Sequence, residues 1–159
     1  MLDDIDFLAK AGASGIVFGC LTDQNEIDVE ANALLIKKAK GLELETTFHR
    51  AFDFCDNPKE SLEKLISLGF NRLLTSGQKP KAIDGIDLIR NLVTWADGRI
   101  EIMAGSGVNA SNAAKFANTE VSALHFTSHQ NIETKDSFGM GAKSVPDEDK
   151  IAFIPRLFQ

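Results

Sequence analysis

Three side chains that can carry acid–base or anion chemistry stand close together in the chain: His49, Arg50 and Asp53. An imidazole can move a proton near neutral pH, and a guanidinium offers a fork of donors to a carboxylate or phosphate. His49 and Arg50 point to opposite sides if both lie in strand geometry, because side chains alternate along a strand. The pattern predicts a catalytic group. Two other interpretations stay open, a hydrogen-bonded structural histidine and an ordinary loop ion pair between Arg50 and Asp53.

Two turns rich in small residues are candidates for binding an anion. Small residues leave backbone N–H groups exposed, and the second turn runs into a predicted helix start at Asn109, where the helix dipole favours negative charge. Glycines also serve as plain tight turns, and the Lys-Ser or Lys-Thr pair of a P-loop is missing after them. The predicted anion-binding residues are Thr75, Ser76 and Gly77 in the first turn and Gly105, Ser106 and Gly107 in the second.

A metal site is a further prediction. Cys20, Cys55 and His125 each follow or end a predicted strand, and thiolate and imidazole suit Cu(I) or Zn²⁺. None of them has the spacing of a dedicated metal motif, and a buried cysteine is also an ordinary small hydrophobe. The two cysteines lie far apart in the chain, so we expect reduced thiols rather than a disulfide.

The elements that position these residues are predicted from a regular alternation of apolar runs and amphipathic segments. The runs are rich in Val, Ile, Leu, Phe and Thr. One helical pattern precedes the first run, and one lies between each pair of successive runs. The predicted strands are residues 15–21, 45–50, 72–76, 99–104 and 124–127, and the predicted helices are residues 3–11, 30–40, 59–68, 81–96 and 109–117.

Strands separated by single helices call for a parallel sheet, in which ligands bind at the carboxyl ends of the strands. An open doubly wound sheet and part of a (β/α)₈ barrel both fit this pattern. A whole barrel typically needs about 250 residues. The 159 residues, with no internal linker, therefore predict one domain. We expect βα units over residues 1–129, followed by a loop and a short C-terminal helix over residues 130–159.

Composition and charge narrow the classes of partner. The chain has 17 Lys and Arg against 23 Asp and Glu, a formal net charge of −6, which disfavours binding to nucleic acid or to an anionic membrane. No apolar run approaches the length of a membrane span, and the first residues lack the pattern of a secretory signal. A cytoplasmic location is the expectation.

The motifs, taken in order, resemble those of the CutC family of copper homeostasis proteins. They are GIVFG at 15–19, TFHRAFD at 47–53, LTSG at 74–77 and IMAGSGV at 102–108, and the match extends to about His129. The TFHRAFD string is the most specific of them. The resemblance implies a TIM barrel, a cytoplasmic location and copper handling through cysteine ligation, with Cu(I) as the metal.

The resemblance also implies a partial barrel, because proteins of this family begin with three further βα units. The cysteines associated with copper lie in the first two of those strands, so Cys20 and Cys55 do not correspond to them. Three hypotheses remain open: copper handling, an enzyme acting on a phosphorylated or other anionic small metabolite, and a folded remnant with neither activity. Without the preceding strand, the strand at 15–21 has an uncovered edge, which predicts self-association.

Overall fold

The computed structural model describes residues 1–132 and 143–156, in which helices and strands alternate from the first helix to the fifth strand. The helices are α1 (Leu2–Lys10), α2 (Val29–Lys40), α3 (Pro58–Leu68), α4 (Ile86–Ala96) and α5 (Glu148–Arg156). The strands are β1 (Gly15–Phe18), β2 (Glu45–Phe48), β3 (Arg72–Thr75), β4 (Glu101–Gly105), β5 (Ala123–His125), β6 (His129–Ile132) and β7 (Lys143–Pro146). Two 3₁₀ helices cover Arg50–Phe54 and Ala113–Thr119.

Local side-chain chemistry sets the ends of α2 and α3. The Asp28 carboxylate accepts a hydrogen bond from the backbone N–H of Ala31 at 2.9 Å, which caps the first turn of α2. Asn57 caps α3 in the same way, Pro58 occupies its first turn, and Gly69 ends it with φ +83°. Such caps satisfy N–H groups that a helix leaves unpaired and contribute about 1 kcal/mol each.

The first five strands form one parallel sheet in the order β1-β2-β3-β4-β5. The register pairs Gly15 with Glu45 and Phe18 with Phe48, and each later strand joins the free side of the strand before it. A doubly wound sheet would reverse direction at a switch point, whereas strand order that follows the chain is the order of a (β/α)₈ barrel. Within the described residues the sheet is not closed, and β1 and β5 are its edges. The predicted partial barrel is confirmed.

The outer face of this sheet packs against the helices and forms the hydrophobic core. Phe18 and Phe48 point to this face, and their rings lie 5.1 and 5.3 Å from the ring of Phe70. Leu62 of α3 and Leu92 of α4 are fully buried against the same layer. Burial of side chains of this size stabilises the fold by about 1.5–3 kcal/mol each, so the outer layer holds the strand ends in place.

The inner face of the sheet is more polar and more open. Arg72 donates through Nε to Glu101 at 2.7 Å, and its Nη2 lies 3.9 Å from the carboxylate of Glu45. On the edge strand, Val17 pairs in register with Thr47 and is 62% exposed. An apolar side chain is thus uncovered on the β1 edge, where the sheet is open.

Helix α4 begins five residues later than the sequence predicts. A Cβ at Gly85 would lie only 2.2 Å from the carbonyl oxygen of Ser76 and 2.8 Å from Cα of Gly77. The backbone of residues 76–85 therefore closes on itself as a loop, which we call the β3–α4 loop, and helical structure starts only at Ile86. Gly85 marked this boundary, because glycine is unfavourable inside a helix.

Two other regions differ from the predictions. The helix expected at residues 109–117 is the 3₁₀ helix Ala113–Thr119. In the region expected to be a loop after residue 129, β6 and β7 pair antiparallel, with His129 opposite Pro146, and α5 follows as the short C-terminal helix. Both strands are short and largely polar, so they lack the apolar alternation that would predict them.

None of the helices in the described residues has the length and apolar content needed to cross a membrane.

Candidate functional site

The carboxylate of Asp53 ties the end of β2 to the end of β3. Its side chain is 6% exposed. Oδ1 accepts from the Thr75 hydroxyl at 2.5 Å and from the backbone N–H of Gln78 at 3.1 Å. Oδ2 accepts from the Ser76 hydroxyl at 2.9 Å and from Nε of Arg50 at 2.8 Å, and the backbone N–H of Ser76 lies 3.1 Å from both oxygens. A carboxylate has about four acceptor sites, so Asp53 has none left for a substrate and acts as a positioning residue.

Arg50 is held by this network but keeps part of its guanidinium accessible. Besides Nε on Asp53, its Nη2 donates to the Ser76 hydroxyl at 2.8 Å and to the carbonyl of Lys79 at 3.5 Å. Nη1 makes no hydrogen bond to the described residues, and the side chain is 41% exposed. The loop ion pair between Arg50 and Asp53 therefore exists, and it orients a guanidinium that still has donors to offer an anion.

His49 lies at the start of the 3₁₀ helix that follows β2, and its ring is fixed from two sides. Nδ1 accepts a hydrogen bond from the backbone N–H of Ala51 at 3.3 Å. The ring meets the Phe48 ring edge-on, with centroids 5.8 Å apart. A Cβ at position 19 would lie 2.8 Å from Nδ1 of His49 and 2.9 Å from the Phe48 ring, so Gly19 leaves the space that the imidazole occupies.

The β3–α4 loop also holds the turn that follows β4. The Ser106 hydroxyl donates to the carbonyl of Pro80 at 2.8 Å, and the backbone N–H of Ala82 donates to the carbonyl of Ser106 at 2.9 Å. Ser106 has φ +87°, an unfavourable conformation for a non-glycine residue. The Lys81 side chain lies over Gly107, 3.1 Å from where a Cβ would stand. The N–H groups of Ser106 and Gly107 have no acceptor among the described residues, which leaves them available to an anion.

The helix start predicted at Asn109 does not offer the backbone N–H groups of Asn109 and Ser111 to an anion. The backbone N–H of Asn109 donates to the side chain of Asn112 at 2.9 Å, and the N–H of Ser111 donates to the side chain of Asn109 at 2.9 Å. Asn112 in turn donates to the carbonyl of Gly107 at 2.9 Å. Side chains thus already satisfy N–H groups that we expected to bind an anion, and the candidate donors are those of the preceding turn.

The structure does not bring the predicted metal residues together. Cys20 follows β1 and His125 ends β5, the two opposite edges of the sheet, and Cys55 is buried directly after the 3₁₀ helix that follows β2. Residues 1–132 and 143–156 contain no cluster of three or more His, Cys, Asp or Glu side chains able to hold a metal ion. Burial raises the pKa of both thiols, and Asp28 raises that of Cys20 further, which disfavours the thiolate that binds metals.

The site that the structure assembles therefore lies at the carboxyl ends of β2, β3 and β4. Of the predicted catalytic and anion-binding residues, Asp53 links Arg50 to Thr75 and Ser76, and the β3–α4 loop links that group to the turn at 105–107. Sequence reasoning missed Gly19 and Gln78. Gly19 lies inside the strand predicted at residues 15–21, and a glycine within a strand pattern is a signal of close backbone approach, whereas nothing local to Gln78 marks it.

Comparisons with known proteins agree with this architecture. The model of the CutC family matches residues 1–130. A CutC protein of Bacteroides thetaiotaomicron is 44% identical over 154 residues, which make up 93% of this chain and 61% of that protein. A CutC protein of Pasteurella multocida is 52% identical over 128 residues, which make up 80% of this chain and 52% of that protein. The chain thus spans between half and two thirds of the length of these relatives.

A solved structure extends the likeness to three dimensions. The CutC protein of Streptococcus agalactiae, described in relation to copper homeostasis, superposes with a TM-score of 0.72 at 36% identity. The alignment covers 78% of this chain and 60% of that protein. The family match over most of the chain, the identity to two relatives and the shared fold lead to one conclusion: this chain belongs to the CutC family.

Proposed function

We propose that this chain takes part in copper homeostasis of the CutC type, and that its strand-end site does so by binding an anionic small molecule. The copper role comes from the description of the Streptococcus agalactiae relative. The anion comes from the chemistry of the site, since the guanidinium of Arg50 and the backbone N–H groups of Ser106 and Gly107, which have no acceptor among the described residues, suit a phosphate or carboxylate better than a soft metal. The cytoplasm is the proposed compartment, which the two free thiols support.

The orientation of Arg50 is the observation that carries the proposal. Its Nε and Nη2 are fixed by Asp53, Ser76 and the carbonyl of Lys79, while Nη1 has no partner among the described residues. An arginine held in this way loses little further conformational freedom when it binds a ligand. A preorganised donor at the carboxyl end of a barrel strand is the expected place for a ligand contact.

Direct copper ligation by this chain's own residues has less support. Cys20, Cys55 and His125 are not clustered, and burial raises the pKa of both thiols. These residues do not fit a Cu(I) site, so the copper role is proposed to act through the anionic ligand. Cu(I) titration of the wild-type protein and of the Cys20→Ser and Cys55→Ser variants tests this directly.

The anion proposal is tested by calorimetric titration with inorganic phosphate and sulfate. Loss of a hydrogen bond to a charged group costs about 1.5–3 kcal/mol, so Arg50→Ala should weaken phosphate binding about 10- to 150-fold. Arg50→Lys keeps the charge but loses the fork, and it should bind with intermediate affinity. Urea unfolding of each variant shows whether the fold is retained.

The cysteine variants are the matched controls. Cys20→Ser and Cys55→Ser should bind phosphate like the wild type, because neither thiol contacts the donors of the site. If copper ligation by thiols is the activity, the pattern reverses: Cu(I) affinity collapses in the cysteine variants and is unaffected in Arg50→Ala. That result would refute the proposal.

A second candidate function is catalysis on a phosphorylated or other anionic small metabolite. It is favoured by His49, whose ring is held by the N–H of Ala51 and which directly precedes Arg50 in sequence at the end of β2. In this case wild-type protein should convert a member of a panel of phosphorylated metabolites, and His49→Ala should abolish turnover. Phosphate binding without turnover of any member would leave the binding proposal standing and contradict this one.

A further inference from the structure

The hydrogen bond between Ala51 and His49 determines which ring nitrogen carries the proton. The backbone N–H of Ala51 points at Nδ1 of His49 from 3.3 Å. An amide N–H can only donate, so Nδ1 must present its lone pair. A neutral imidazole carries one proton on its two nitrogens, which places that proton on Nε2.

We propose that His49 is held in the Nε2–H tautomer and serves the site as a hydrogen-bond donor rather than as a proton acceptor. The ligand part of this inference rests on the proposed function. Nε2 makes no hydrogen bond to the described residues, so its N–H is free to meet a ligand. Its partner must be an acceptor oxygen, as on a phosphoryl group or a carboxylate. With Nδ1 engaged and Nε2 protonated, the same ring is not a ready ligand for a metal cation.

Gly19 is the positioning residue of this arrangement. The imidazole of His49 occupies the space in which a Cβ at position 19 would stand, 2.8 Å from Nδ1 and 2.9 Å from Cε1. A side chain there forces a shift of its neighbours, because real Cβ contacts are not that short, and we expect the ring to move relative to the N–H of Ala51. Gly19 has no left-handed φ, so substituting it tests space alone.

The tautomer is measurable without any ligand. In protein labelled with ¹⁵N and held at pH 8.5, long-range ¹H–¹⁵N correlation spectra should show a proton on Nε2 of His49 and none on Nδ1. Gly19→Ala should yield a mixture of tautomers or the opposite one. Gly41→Ala is the matched control, because a Cβ at position 41 makes only ordinary contacts, 3.4 Å or more, and should leave the spectrum unchanged. A proton on Nδ1 in the wild type would overturn the assignment.

Three substitutions of His49 separate donor from acceptor. Glutamine reaches the Nε2 position with an amide donor. Asparagine reaches only the Nδ1 position, where it can accept from the N–H of Ala51 but cannot replace the Nε2 donor. Inorganic phosphate should bind about tenfold or more weakly to His49→Ala and His49→Asn, and His49→Gln should recover most of that loss. If His49→Gln binds phosphate no better than His49→Ala, the donor role is wrong.

The phosphate titration and the NMR assignment of the His49 proton test separate parts of the inference. If the wild-type protein binds no phosphate, the proposed anion site is refuted while the tautomer still stands or falls on its own spectrum. If phosphate binds and depends on Arg50 but the proton lies on Nδ1, the anion site survives and the inference about His49 is refuted.

Discussion

Replacing Asp53 by asparagine removes the charge at the centre of the site with almost no change in size. In the wild type, both carboxylate oxygens accept bonds from at least two donors, with Thr75 and Gln78 on one side and Arg50 and Ser76 on the other. An amide has one oxygen and one NH₂ group. In either orientation the NH₂ group therefore faces donors, and at least two hydrogen bonds are lost.

The size of the effect follows from burial. The Asp53 side chain is 6% exposed, so the donors that lose their acceptor cannot freely form replacement hydrogen bonds to water. Each lost bond to a charged acceptor costs about 1.5–3 kcal/mol, so the loss of two such bonds costs about 3 kcal/mol or more. We expect Asp53→Asn to lower the free energy of unfolding by about 3–5 kcal/mol, a large fraction of the roughly 5–15 kcal/mol that stabilises most proteins.

Urea unfolding followed by circular dichroism measures this loss. With a slope of about 2 kcal/mol per molar urea, the midpoint should fall by about 1.5–2.5 M. Asp23→Asn is the matched control, because Asp23 is exposed in the turn after β1, and it should change the free energy of unfolding by less than about 0.5 kcal/mol. If Asp53→Asn stays within 1 kcal/mol of the wild type, the network described around Asp53 does not carry the stability assigned to it.

Three further outcomes are expected. Gly85→Ala should destabilise the protein by more than about 2 kcal/mol in urea unfolding, because its Cβ would meet the Ser76 carbonyl at 2.2 Å, whereas Gly41→Ala should be nearly neutral. Burial raises the pKa of Cys20 and Cys55. Their contribution to stability is therefore complete below about pH 8.5 and is lost as the pH rises beyond it. In unfolding curves from about pH 7 to 10.5, the free energy of unfolding should fall less at high pH in the double serine variant than in the wild type. The uncovered β1 edge should pair with other chains, and light scattering should detect dimers or larger species; a monomer at high concentration would contradict this.

Much of the fold could be predicted because its signals are local. Apolar runs and amphipathic segments alternate within short windows, and helix ends are marked by single residues such as Asp28, Asn57 and Gly69. These patterns predicted the order of the elements, the parallel sheet and the carboxyl ends of the strands as the location of the site. They failed at β6 and β7, whose polar sequences carry no such period.

The roles of the site residues depended on contacts between distant parts of the chain. Asp53 stands close to Arg50 in sequence, which suggested a catalytic group, but its bond to Thr75 spans 22 positions and makes it a structural acceptor. In the same way, the sequence identified His49, but the packing of its ring in the space left by Gly19 of the preceding strand end becomes visible only in the fold.

The cysteines show the same division. Sequence determined that two thiols follow the first two strands, where a metal could be bound. The tertiary structure placed Cys20 and His125 at opposite edges of the sheet and buried Cys55, and no local pattern reports either fact. Helix ends and strand patterns depend on interactions within a few residues, so the sequence by itself determined most of the helices and strands. A site is made by side chains that meet only after the chain has packed. The fold therefore decided which side chains at the strand ends come together.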